Sequence, residues 1–254
     1  EAIDYLFEKT SSKSSAALDF ALGSMYYQSG RMTQAEKSYT TAIDKFPLFL
    51  RAHKNLGFVK LSLGKYRDAA SSFSKSISLG EGDGVTYVAL GYCYYMRQQF
   101  ISAENAYSMG ALLLPESKDA RNGLVNCLIE TNRFAEALAL LNELLIKEPE
   151  NSFGHRARVA ALQGLGLEME ATVALETLKR LGNLSNEDVI RLGDLYHNLG
   201  LYDLSLQNYE RAIEGDEKLS ISRYIRVASI LISRGSFQDC FSYLEKIEKN
   251  FGPQ

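Results

Sequence analysis

The chain has 254 residues, 46% of them hydrophobic and 23% charged, which is the composition of an ordinary folded protein and excludes a disordered or low-complexity chain. A formal net charge of −3 argues against a phosphate-backbone ligand, which needs clustered Lys and Arg, and no run of eighteen apolar residues is present to span a membrane. Four prolines, no tryptophan and fifteen tyrosines lean toward helices.

The three cysteines, an odd number, make no disulfide framework and have no close metal-ligand spacing. They read as free, buried thiols, which leans toward the cytoplasm without fixing the compartment. The chain begins at Glu1 without a methionine and without the basic and apolar regions of a signal peptide. A processed product, an excised fragment and an exported chain with its signal removed all stay open.

Residues 1–9, EAIDYLFEK, hold Ala2 and Leu6 at a small-to-large separation that recurs downstream. They read either as the second helix of a truncated repeat or as a private capping helix. The serines of SSKSS at 11–15 suit a turn and a helix N-cap.

From there the chain repeats itself. Stepping by thirty-four from Gly30 gives Gly64, Gln98, Asn132, Gly166 and Gly200, and one extra residue brings the series to Gly235. Gly and Asn end a helix in the left-handed conformation at little cost, so this column predicts a helix C-cap or tight turn. Five residues on, Ala35, Ala69, Ala103, Ala137, Ala171, Ser205 and Cys240 are all small. Four further on, Tyr39, Phe73, Tyr107, Leu141, Leu175, Tyr209 and Leu244 are all large. Small against large at fixed spacing lets two helices approach closely.

Upstream of the turn, Leu22-Gly23, Leu56-Gly57, Leu90-Gly91 and Leu192-Gly193 match, with Tyr26, Tyr94 and Tyr196 three residues after the glycine. Val125, Val159 and Ala228 replace that glycine, predicting slightly wider spacing in those repeats. Within 134–145 the apolar residues follow three-and-four spacing, and prolines at 47, 115 and 149 stop helices near the end of a repeat. The EGDG at 81–84 reads as a loop. At the far end Phe237, Cys240, Phe241, Leu244, Ile247 and Phe251 form an apolar stripe beside Lys246, Glu248 and Lys249, predicting a last helix that caps the array.

The series Leu22, Gly23, Tyr26, Gly30, Ala35, Tyr39, Ala42 and Pro47 resembles the tetratricopeptide repeat, a thirty-four-residue helix-turn-helix. The resemblance covers residues 16 to about 253, in seven repeats starting near 16, 50, 84, 118, 152, 186 and 221. It implies an all-α fold, a right-handed superhelical solenoid of stacked helix pairs. Residues 1–15 form the N-terminal helix and linker, and 16–254 the solenoid, with no internal domain boundary.

No constellation for catalysis stands out. His53 and His155 hold equivalent places three repeats apart, on the order of 30 Å in a stacked array, too far to share a metal or substrate. Cys93 and Cys127 stand in adjacent repeats about 10 Å apart, too far for a disulfide. No GxSxG, phosphate loop, HExxH or paired CxxC occurs. The sequence therefore reads as a non-enzyme with no metal or cofactor.

The resemblance implies that each first helix lines a concave groove. Its inward places here hold Phe20, Tyr27, Arg51, Lys54, Phe58, Tyr92, Tyr95 and Met96 in the first three repeats, then Asn122 and Asn126, then Arg156, Asp194 and His197. Exposed aromatics and Met are good anchors for apolar side chains. The two asparagines, one helical turn apart, suit the backbone of an extended peptide. Packing against the neighbouring repeat is the alternative role for each aromatic, and a solvated polar face that for the asparagines. Some family members grip a C-terminal carboxylate with Lys and Asn; here Lys54 is present but Phe58 holds the Asn place, which disfavours that clamp. The expected partner is a protein or peptide, with no nucleic acid and no membrane insertion. Self-association or service as a segment of a larger secretion or assembly protein is the alternative.

Overall fold

A computed structural model describes residues 3, 5, 8, 14–80, 82–214 and 220–252 of the chain. The expectations resting on Ala2, Leu6 and residues 11–13, and on the side chains of Lys246, Ile247, Lys249 and Phe251, lie outside what is described.

Among the described residues from position 16 onward, every regular element is a helix: α1 Ala16–Gln28, α2 Met32–Lys45, α3 Leu50–Ser62, α4 Tyr66–Ser78, α5 Gly84–Met96, α6 Phe100–Leu113, α7 Lys118–Glu130, α8 Phe134–Lys147, α9 Ser152–Gly164, α10 Glu168–Arg180, α11 Asn186–Asn198, α12 Tyr202–Glu214, α13 Ile221–Ser233 and α14 Phe237–Phe251. The chain divides into two compact units, Glu1–Thr131 and Asn132–Gln254.

In the first unit α1 pairs with α2, α3 with α4 and α5 with α6, and each pair packs on the next, ending at α7. Side-chain caps start three of these helices: Ser15 accepts from the Leu18 N–H, Asp83 from Thr86 and Ser117 from Ala120. Gly30, Gly64, Gln98, Asn132, Gly166, Gly200 and Gly235 all have φ between 57° and 74°, so the turn column is left-handed throughout. The small column is buried at every place, Ala35 through Cys240.

The large column is buried from Tyr39 to Tyr209, and its side chains match the partner on the first helix in size. Gly57 faces Phe73, Gly23 faces Tyr39, Gly91 faces Tyr107 and Gly193 faces Tyr209, each close enough that an added Cβ would press into the ring. Val159 shares a core cluster instead with Leu175. Where the first helix carries a larger residue, the second carries a smaller one, so volume is kept and packing stays dense.

The second unit runs α8 on α9, α9 with α10, α10 on α11, α11 with α12, α12 on α13 and α13 with α14. Ser205 Oγ, in the small column, donates to the Gly193 carbonyl at 2.9 Å, tying α12 to α11. The last helix departs from the expected cap. Cys240 and Tyr243 turn inward, but Phe237 is 59% exposed, Phe241 65% and Leu244 44%. The reason lies in its stripe, which is wider than one face: α13 covers one side, and no described element lies on the other.

Candidate functional site

Helices α5 and α7 each present one stripe toward the other. On α5, Val85, Val88, Ala89, Tyr92 and Tyr95 recur at three-and-four spacing; on α7, Asp119, Asn122, Gly123 and Asn126 do the same. Between them lies a cavity of about 390 Å³, lined by these nine residues and by Tyr107 of α6. Tyr107 is 4% exposed and forms the floor. An added Cβ on Gly91 or Gly123 would collide with its ring, so both glycines let the first helices settle on it.

The wall rings are held from behind. Tyr92 packs edge-on against Tyr66 at 6.0 Å between centroids, and Tyr95 edge-on against Phe100 at 5.5 Å. The Tyr95 hydroxyl donates to Glu130 Oε1 at 3.4 Å. Burial, and then the neighbouring Tyr66, push the Tyr92 phenol up; burial and Glu130 do the same to Tyr95. Both phenols therefore stay neutral, with the Tyr95 proton directed at Glu130. The side-chain amides of Asn122 and Asn126 make no hydrogen bond with the described residues, and both are half-buried at the cavity wall.

Four of the residues expected from sequence, Tyr92, Tyr95, Asn122 and Asn126, thus line one cavity. The others stand elsewhere. Phe20 packs between Tyr39 and Phe49 at ring distances of 5.5 and 4.9 Å, and Phe58 edge-on against Phe73 at 4.9 Å. Lys54 pairs with the Asp83 carboxylate, whose burial pushes it up while Lys54 and the Thr86 N–H hold it below the usual carboxylate range. Arg51 is exposed, as are Tyr27 and Met96 near the ends of α1 and α5.

Three expected residues belong to the second unit. Arg156 Nε donates to Asp188 Oδ2 at 2.8 Å and its Nη2 to the Asn183 carbonyl at 2.6 Å. Asp194 accepts from Tyr209 at 2.7 Å, from Arg223 at 2.6 Å and from Arg226 at 3.0 Å. His197 lies 5.5 Å from the Tyr202 ring; burial and then Arg226 lower its pKa, against the pull of Asp194. These groups join α9 to α11 and α11 to α13. His53 and His155 each bring Nε2 to a proline carbonyl, Pro47 at 2.9 Å and Pro149 at 2.8 Å, a loop-fixing role.

Sequence reasoning missed Val85, Val88, Ala89, Asp119 and Gly123 as cavity residues and read Tyr107 only as core. The available signal was the spacing of Asp119 to Asn122 and Asn126, which puts all three on one face of α7.

Stacked helix pairs with an open, aromatic-walled cavity between successive first helices define a helical-repeat protein. Tetratricopeptide repeat models match residues 20–84, 111–165 and 190–218, together more than half the chain. The chain belongs to the tetratricopeptide repeat family.

It is 28% identical over 130 residues to the Hsp70-Hsp90 organising protein of Plasmodium falciparum, covering 51% of this chain and 52% of that protein. It is 21% identical to DnaJ homolog subfamily C member 3 of Bos taurus, covering 90% of this chain and 50% of the relative. The chain thus spans about half the length of these two curated relatives. Among solved structures it resembles YrrB, described as a TPR protein with an unusual peptide-binding site, at TM-score 0.64 and 17% identity, over 71% of this chain and 92% of that one. MamA is similar at TM-score 0.60 and 20% identity, over 65% and 92%. At these identities the structural likeness speaks to the fold.

Proposed function

We propose that the chain is a non-catalytic scaffold that holds a segment of a protein partner, an extended peptide or a helix, in the groove of its first unit. Tyr92 and Tyr95 serve as anchors, and Asn122 and Asn126 fix the partner's backbone. The observation that carries this reading is the cavity between α5 and α7, with two amides one turn apart on its wall that have no hydrogen-bond partner among the described residues. Half-buried amides without partners are costly unless water or a ligand satisfies them, and a peptide backbone offers both donors and acceptors. The family membership and the peptide-binding site described for YrrB support it. A clamp for a carboxylate terminus is disfavoured, because Asp83 neutralises Lys54 and the Phe58 ring is packed on Phe73.

The test is affinity capture from lysate of the source cell, with wild type beside a Tyr92→Ala, Asn126→Ala double variant. A protein retained only by the wild type supports the groove; equal retention by both counts against it. A second reading, self-association through the outer side of α14, is favoured by the exposed Phe237, Phe241 and Leu244.

A further inference from the structure

Resting on the groove reading above, we infer that the cavity between α5 and α7 receives a cationic side chain, a lysine or arginine of an extended peptide. Among the described residues, Asp119 supplies the only charged side chain in the lining. It is exposed, and among the described residues it has neither an ion-pair nor a hydrogen-bond partner. Glu130, bonded to the Tyr95 hydroxyl, places a second carboxylate beside a wall residue. No described Lys, Arg or His lines the cavity; Lys118 and Arg121 flank Asp119 in sequence and Arg97 follows α5, but none of the three is among its lining residues.

The rings of Tyr92, Tyr95 and Tyr107 line the same cavity. Aromatic rings attract a cation through their quadrupole, and they also cover the methylene stem of a lysine or arginine. The alternatives fare worse. An acidic residue would meet Asp119 with like charge. An apolar residue would gain nothing from the carboxylate, which stays in water. At about 390 Å³ the cavity is at the small end of ligand pockets, sized for a side chain rather than a whole helix. The recognition is therefore opposite in charge to a carboxylate clamp: the wall offers the anion and the peptide brings the cation.

The experiment is selection of random decapeptides displayed on phage against the immobilised chain, followed by fluorescence anisotropy of the best peptide and its Lys→norleucine analogue. Wild type, Asp119→Asn, Asp119→Lys and Tyr92→Ala are compared, each checked for helicity and unfolding midpoint. The expected result is enrichment of Lys- or Arg-bearing peptides, a loss of about tenfold on norleucine replacement, erasure of that difference in Asp119→Asn, and selection of acidic peptides by Asp119→Lys. Peptides that depend on Tyr92 but bind equally with lysine or norleucine overturn the cation inference and leave the groove reading standing. Peptides indifferent to Tyr92→Ala, or no enrichment at all, overturn the groove reading and this inference with it.

Discussion

A methyl group added to Gly57 would stand 2.6 Å from Phe73 Cδ1, so the Phe73 ring rests directly on the backbone of α3. Overpacking a core costs about 1–3 kcal/mol, whereas Ala for Gly in a helix gains about 1 kcal/mol. Gly57→Ala should therefore destabilise the chain, by about 1 kcal/mol in urea unfolding. In a Phe73→Leu background the same alanine should be neutral or stabilising, as the pairing of Val159 with Leu175 suggests. Equal costs in both backgrounds would break the size-matching argument.

Gln98 holds a left-handed turn at φ 57°, where a side chain costs about 1–2 kcal/mol and glycine costs little. Gln98→Gly should raise stability by about 1 kcal/mol, and Gly64→Ala, at φ 70°, should lower it by a similar amount. Thermal unfolding of both variants checks the pair.

Burial pushes the Asp188 carboxyl up, but Arg156 and the hydroxyl and N–H of Ser185 outweigh it and hold the group below the usual carboxylate range. A depressed folded value means the stabilisation is complete above an ordinary carboxylate pKa, near 4, and is lost as pH falls through the folded value. Asp188→Asn should lower stability at neutral pH by about 1–3 kcal/mol and flatten the loss on acidification. An unfolding series from neutral to strongly acid pH, run on both proteins, tests it; parallel curves would remove Asp188 from the acid response.

The exposed Phe241 bears on self-association. If the outer side of α14 joins two copies, sedimentation should show a mass above one chain that falls to one chain in Phe241→Glu. A monomer at high concentration in the wild type would set that reading aside.

The fold was legible because each signal is local and recurs: a left-handed turn at Gly30, a small residue at Ala35, a ring at Tyr39, then the same again. The site was legible only in part. Helical spacing shows which face of α5 or α7 a side chain occupies, so Tyr92, Tyr95, Asn122 and Asn126 could be named. It does not show what fills the space opposite, and so Phe20 and Phe58, which share the inward places, turn out packed against Tyr39 and Phe73. Arg156 and Asp194 look like groove polarity in sequence, yet their partners Asp188 and Arg223 lie about one repeat onward. Asp119 shares the α7 face of Asn122 and Asn126, but spacing alone does not show that the space it borders is open.

The central claim is the groove between α5 and α7, and calorimetric titration of a selected decapeptide into wild type and the Tyr92→Ala, Asn126→Ala double variant tests it most directly. Loss of a buried aromatic anchor costs about 2 kcal/mol and of a hydrogen bond about 1 kcal/mol, so affinity should fall by well over tenfold while helicity and unfolding midpoint hold. Equal affinity in two folded proteins would contradict the account.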